Sequence, residues 1–229
     1  NATFMHENPT GLGIYTYELL LELLKGKCDF IIYSNSGTLK RMYPEKVTLV
    51  STLTSPDLGF KGHLMRLLWQ QTILPIKLRK QKACLLFSTA PEGIWKSSQK
   101  QILTILDIIP VKFPEMLPRM KYYYYHILPI LLKNSHLVIC ISENTKRDVI
   151  SYYKIKEKSI HVIYPGLDKQ EFYPRQERIG QNPCGIRKYL LFIGDMRPYK
   201  NLERVLEAFA PLNLGDIKLV IGGKKDPRF

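Results

Sequence analysis

The chain has 229 residues, of which 45% are apolar and 24% charged, with a formal net charge of +14. That length corresponds to one or two domains at roughly 100–200 residues each, and the composition excludes a disordered chain and a fibrous repeat. The positive charge predicts attraction to a polyanion, whether nucleic acid, anionic lipid or a phosphate-bearing substrate, and does not choose among them.

Along the chain, a Gly-rich turn at Pro9–Gly13 feeds a helix whose apolar residues Ile14, Tyr17, Leu20, Leu21 and Leu24 recur at helical spacing. Only about five residues precede His6, fewer than the complete strand such a turn normally follows, so a few residues are expected to be missing there. Short apolar runs at Phe30–Tyr33, Val47–Val50, Leu85–Phe87, Ile102–Leu106 and Leu137–Ile141 predict buried strands. Helices are expected near His63–Lys82, interrupted at Pro75, then at Pro118–Lys133 and Glu143–Tyr153, with Ser142 as the N-cap of the last. Strands alternating with helices imply a Rossmann-like α/β domain with a mainly parallel sheet.

After a strand at Ile160–Ile163, residues 165–187 are rich in Pro, Gly, Gln and charge and predict a linker between a first domain, 1–164, and a second, 188–229. The second begins with a strand at Tyr189–Ile193, a turn at Gly194–Tyr199, a helix near Asn201–Ala210 and a strand at Ile217–Ile221. Two strands and one helix leave apolar faces uncovered, so this domain is expected to be incomplete.

The longest uncharged apolar stretch, Tyr122–Leu132, falls well short of the about 20 residues of a bilayer-spanning helix. Asn1–Pro9 carries Glu7 and no basic cluster before an apolar run, unlike a signal peptide, so a cytoplasmic location is expected. Cys28, Cys84, Cys140 and Cys184 are scattered, without zinc-site spacing, and are expected to be reduced core thiols.

Five segments, PTGLGIYTYELL, LDIIPVKFPE, VICISENTKRDV, IHVIYPGLDKQEFYP and YLLFIGDMRPYKNLERVLEAFAPL, follow one another in this order. In order, spacing and residue type the series resembles the family-4, retaining glycosyltransferases. The resemblance implies a GT-B fold, with a Rossmann-like N-terminal domain on the acceptor side and the first part of a second Rossmann-like domain that binds a nucleotide-sugar. It also implies that no metal cofactor is needed, because basic side chains and a helix N-terminus neutralise the leaving diphosphate.

On that resemblance, Gly194, Arg197 and Lys200 are the candidate diphosphate site: a strand-to-helix turn places partial positive charge beside two cations, Arg as a fork and Lys as a point charge. The alternative is a solvated basic turn. Asp195 stands where many relatives carry Arg, and either tempers the site or caps the helix. Gly11 and Gly13 permit positive φ and close approach to donor and acceptor, or make an ordinary tight turn. Asp107 lies in a block usually written His-Asp-x-x-Pro; here Leu106 replaces the His and can neither hydrogen-bond nor titrate, so Asp107 either touches substrate or caps the following turn. The family's Glu pair for the donor sugar has no counterpart, since Glu171 and Glu177 read as solvated linker charges; alone, the chain is expected to bind a nucleotide-sugar poorly and to be inactive.

Lys61–Lys82 contains six Lys or Arg and no acid, interleaved with apolar residues. It is either an amphipathic helix lying on anionic lipid or a core-packed helix with a basic outer face. The four tyrosines Tyr122–Tyr125 point around a helix and cannot form one stacking platform. The resulting expectation is hexosyl transfer from a nucleotide-diphosphate sugar to a glycan or lipid-linked acceptor, with retention, in cell-envelope or exopolysaccharide assembly. The alternative is a non-catalytic remnant or lipid-surface module. A nucleic-acid partner is not expected, since charge alone supports one and no motif does.

Overall fold

A computed structural model of the chain describes residues 1–7, 10–169, 172–173, 188–212 and 214–223. Glu171, Glu177, Cys184 and most of the expected linker lie outside these residues. Two units divide between Gly166 and Leu167.

Unit 1 begins with helix α1 (Gly11–Lys25), which buries Gly13, Thr16 and Leu20. Strand β1 (Ile32–Ser34) is followed by a short helix α2 (Gly37–Met42), capped by the Ser36 hydroxyl, and by strand β2 (Val47–Leu49). Helix α2 was not legible in the sequence, because six residues carry too little periodicity. Helix α3 (Gly59–Lys80) then leads to β3 (Leu85–Ser88) and β4 (Lys100–Ile105). Next come two short helices, α4 (Ile109–Lys112) and α5 (Met120–Tyr122), a π-helical turn at Tyr123–Ile127, and α6 (Leu128–Asn134). Strand β5 (Leu137–Cys140), helix α7 (Glu143–Tyr153) and strand β6 (Ile160–Val162) complete the unit. The Ser142 hydroxyl accepts from the Thr145 amide at the start of α7, as expected.

All the strand pairs of unit 1 are parallel, in a pair β1-β2 and a four-stranded sheet β3-β4-β5-β6. The gap between them is bridged by the first residues of the chain: the Ala2 amide donates to the Tyr33 carbonyl at 2.9 Å and the Asn1 nitrogen to the Phe87 carbonyl at 2.5 Å. Leu103, Ile105, Val138 and Cys140 of the central strands pack with Leu128 and Leu131 of α6 and Val149 of α7 in the main core. Helices covering a parallel sheet are what makes these strands read as nearly continuous apolar runs.

Several expectations are corrected. Helix α3 runs through Pro75 without interruption. Pro75 removes one helical hydrogen bond, but Leu74 and Leu78 on either side are buried, and their packing outweighs the loss. Among the described residues, Cys28 and Cys84 are exposed and only Cys140 is a core thiol; burial pushes its thiol up to about 12. Gly11 and Gly13 are not turn residues but the first turn of α1, and neither has a positive φ.

A glycine is required elsewhere. An added Cβ on Gly62, in α3, would sit 1.9 Å from the Ser55 carbonyl oxygen. Gly62→Ala is therefore expected to cost about 1–3 kcal/mol through overpacking, measured by chemical denaturation; an unchanged midpoint would contradict this close approach.

Unit 2 contains parallel strands β7 (Tyr189–Ile193) and β8 (Lys218–Gly222) and helix α8 (Leu202–Phe209). Leu190, Leu191, Ile193, Leu206 and Ile221 are exposed, as follows when the one helix and two strands among the described residues cannot cover both faces of a sheet.

Candidate functional site

In unit 2 the residues expected to bind diphosphate form the turn between β7 and α8. The Gly194 amide donates to the Gly222 carbonyl at 2.9 Å, and an added Cβ on Gly223 would meet the Gly194 oxygen at 1.7 Å, so the backbone is tightly drawn in here. After Gly194 the chain enters a 3-10 turn at Pro198–Lys200, and Asn201 adopts a left-handed φ of 63° without capping α8 through its side chain. Asn201 thus leaves the first-turn amides of α8 without a side-chain cap, the arrangement that favours an anion at a helix start.

The two cations of the turn differ. The Arg197 guanidinium donates twice to one carboxylate oxygen: its Nε lies 2.8 Å from Asp195 Oδ2, and its Nη2 binds the same oxygen. These hydrogen bonds hold the Asp195 carboxyl below its usual range. Lys200 is exposed, and among the described residues it makes no salt bridge. Both cations approach the Tyr199 ring, with Arg197 5.2 Å and Lys200 5.6 Å from its centroid. Asp195 therefore does not cap α8; its hydrogen bonds go to Arg197, while Lys200 acts on it only through its charge.

Unit 1 contains a cavity of about 290 Å³. Phe4, Leu12, Met120, Tyr123 and Tyr124 form apolar walls, while His63, Arg66 and Glu92 supply the polar side. His63, Arg66 and Gln70 share one face of α3 because they are three and four residues apart, and that face is buried. Glu92 lies in the loop after β3. Arg66 Nε is 2.8 Å from Glu92 Oε2 and its Nη2 is 2.8 Å from Oε1, while Gln70 Nε2 donates to Oε2 at 2.8 Å. Arg66 Nη1 also donates to the Thr54 carbonyl at 3.0 Å. Burial works against the Glu92 carboxylate, but the Arg66 charge and the hydrogen bonds converging on it hold its carboxyl far below the ordinary range.

The loop bearing Glu92 is clamped. Gln71 Nε2 donates to the Gly93 carbonyl and its Oε1 accepts from the Trp95 amide, each at 2.9 Å, and Gln101 Oε1 in β4 accepts from the Ile94 amide at 2.9 Å. The Tyr123 hydroxyl donates to the Pro91 carbonyl at 2.7 Å, which fixes the π-helical turn against the same loop. Such turns recur at functional sites. Of the four tyrosines, Tyr123 and Tyr124 are buried and Tyr122 and Tyr125 exposed.

Asp107 is exposed, and its Oδ1 accepts from the Ile109 amide at 3.0 Å, so the turn-capping contact is present. Leu106 is half-buried, and its carbonyl accepts from the Thr145 hydroxyl at 3.1 Å.

The model of the family described as Glycosyltransferase Family 4 matches residues 9–171. The chain belongs to this family. Among curated proteins, this family-4 chain is 25% identical over 109 residues to the O-antigen chain mannosyltransferase RfbU of Salmonella typhimurium, a match covering 48% of the chain and 28% of the relative. It is 31% identical over 99 residues to an uncharacterised glycosyltransferase of Methanocaldococcus jannaschii, covering 40% of the chain and 25% of the relative. Among solved structures it resembles WaaG, a glycosyltransferase involved in lipopolysaccharide biosynthesis, with a TM-score of 0.65 and 16% identity over 99% of the chain and 64% of WaaG. The chain thus spans about a quarter of the length of the curated relatives it matches and takes the α/β GT-B fold.

Sequence reading missed His63, Arg66, Gln70 and Glu92. Arg66 was counted as part of a basic outer face, but it points inward. The available signal was the polar trio His63, Arg66 and Gln70 at helical spacing on a face otherwise continued by Leu74 and Leu78.

Proposed function

We propose that this family-4 chain serves transfer of a hexosyl group from a nucleotide-diphosphate sugar to a glycan or lipid-linked acceptor, with retention, in cell-envelope polysaccharide assembly. The observation that carries the reading is the β7–α8 turn, where Lys200 and Arg197 flank an uncapped helix start. In the reaction the bond from the sugar C1 to the diphosphate breaks and a bond from C1 to the acceptor oxygen forms on the same face. The acceptor proton passes to a diphosphate oxygen, so no base is needed where Leu106 stands. Lys200 and Arg197 neutralise the departing charge, a role open to side chains without a metal. Gly194 allows the phosphates close to the backbone, Gly11 and Gly13 begin α1 beside the substrates, and the exposed Asp107 contacts the acceptor. Unit 1, with its cavity, takes the acceptor.

The O-antigen chain mannosyltransferase RfbU and the lipopolysaccharide-biosynthesis enzyme WaaG support the envelope setting and make mannosyl donors the first to try. The test is release of nucleoside diphosphate from a panel of UDP-, GDP- and ADP-hexoses in the presence of polyprenyl-linked and lipopolysaccharide-type glycans. Absence of release by the chain and by any longer form of it, with every donor, defeats the proposal.

A peripheral place at the cytoplasmic face of the membrane is part of the same reading. Among the described residues no helix is long and apolar enough to cross a membrane. The outward face of α3 is not simply basic, however: Phe60, Leu64, Met65, Leu68, Ile73 and Ile76 are 38–50% exposed, beside exposed Lys61, Arg79 and Lys80. Arg119 stands 5.5 Å from the Phe60 ring centroid. Apolar residues flanked by cations suit an anionic bilayer surface. The chain is expected to co-sediment with phosphatidylglycerol vesicles, and Leu64→Glu with Leu68→Glu to lower the partition constant about tenfold or more. Equal sedimentation of that variant would remove the membrane from the proposal.

A further inference from the structure

The unit 1 cavity holds one unmet polar demand. His63 is 8% exposed, and its Nε2 has no hydrogen-bond partner. Its Nδ1 lies 3.2 Å from Arg66 Nη2 and 3.4 Å from Glu92 Oε1. Arg can only donate, and Glu92 Oε1 already takes Arg66 Nε at 3.1 Å and Nη2 at 2.8 Å. Nδ1 thus faces a donor in Arg66 and an acceptor in Glu92, and in either tautomer Nε2 is left over. The ring meets Tyr123 at 5.3 Å between centroids, which gives Nε2 no oxygen or nitrogen partner. A buried polar nitrogen without a partner is costly, and His63 lines the cavity.

We infer that this cavity is a subsite for a single uncharged, hydroxyl-bearing sugar ring of the acceptor, in which a ligand hydroxyl, able to donate or accept, hydrogen-bonds with His63 Nε2. The inference rests on the transferase reading and names the acceptor chemistry for it. Charge selects the ligand class. Arg66, the cation of the cavity wall, is matched by Glu92 in a bidentate pair, so a phosphate or carboxylate would find no uncompensated positive charge there, whereas a neutral ring needs none. Shape agrees: 290 Å³ is the space of about ten waters, room for one ring with its hydroxyls. Phe4, Tyr123 and Tyr124 offer aromatic surface to the carbon-bearing face of such a ring.

The experiment uses methyl α-mannopyranoside, methyl α-glucopyranoside and methyl β-galactopyranoside as probes, read by saturation-transfer NMR and calorimetry on the 229-residue chain. At least one probe is expected to bind, and excess inorganic phosphate is expected not to displace it. His63→Phe should weaken binding about tenfold, while His63→Gln, whose terminal amide keeps an N–H, should recover most of it. Should His63→Phe unfold, Leu12→Trp, which fills the cavity from α1, must abolish probe binding with the unfolding transition retained. Binding by none of the probes, equal binding by a folded His63→Phe or Leu12→Trp, or displacement by phosphate overturns the inference. Nucleoside diphosphate binding, measured on the same samples and on Lys200→Ala, reports the transferase reading separately, so either can fail while the other stands.

Discussion

Replacing Arg66 with Leu is expected to destabilise unit 1 by about 3–5 kcal/mol, the cost of leaving a buried charge without its partner. Arg66 and Glu92 are each 6% exposed, and the guanidinium supplies three of the hydrogen bonds that reach the Glu92 oxygens. Its loss also strips the Thr54 carbonyl of a donor and removes the Arg66 contact of His63 Nδ1. The change should lower the thermal midpoint by roughly 6–20 °C. The pair Arg66→Met with Glu92→Leu should cost less than Arg66→Leu alone, since no charge then remains inside. A single variant that melts with the wild type would show that the pair is solvated in solution.

Acid gives a second readout of the same pair. The Glu92 carboxyl is held far below its unfolded value, which is about 4.3. A depressed folded value means that its contribution is present above about pH 4.3 and is lost as pH falls below that toward the folded value. Wild type is therefore expected to lose stability relative to Glu92→Gln on acidification below about pH 4, and parallel curves for the two proteins would contradict the assignment.

In a form of the chain that is active in hexosyl transfer, Lys200→Ala is expected to lower turnover by about 100- to 1000-fold, the usual effect of removing a charge aimed at a developing anion. The acceptor's KM should hardly move, because the interaction acts on the departing diphosphate. Lys200→Arg should retain part of the rate. Arg197→Ala should cost less than Lys200→Ala, since Asp195 already occupies the guanidinium and an arriving phosphate must compete for it. By the same logic Asp195→Asn should tighten nucleoside diphosphate binding. Equal turnover by Lys200→Ala and the parent would place the diphosphate elsewhere.

Much of the fold was legible residue by residue. The β-branched runs became β3, β4 and β5, Ser142 capped α7, and the Tyr189–Ile193 strand and its following helix appear where the pattern put them. The turn of Gly194, Arg197 and Lys200 was legible as a strand-to-helix junction, but the Asp195–Arg197 pairing within it depends on side-chain directions that spacing does not give. Pro75 misled because the local penalty of proline is visible in sequence while the burial of Leu74 and Leu78 around it is not. The glycines at 11 and 13 misled for a related reason: freedom to adopt a positive φ is not an obligation to use it.

What the sequence determined by itself were the properties carried by near neighbours: α/β alternation, caps, the order of the family segments and the cationic turn. What only the tertiary structure decided was which side of α3 faces inward, and hence that Arg66 is buried against Glu92 while Phe60, Leu64 and Leu68 face outward. The physical reason is that Glu92 lies 26 residues from Arg66 in the chain. A periodic pattern reports that a helix has two unlike faces, but burial of a charged face becomes favourable only when a distant partner of opposite sign is folded against it, and no local spacing records that.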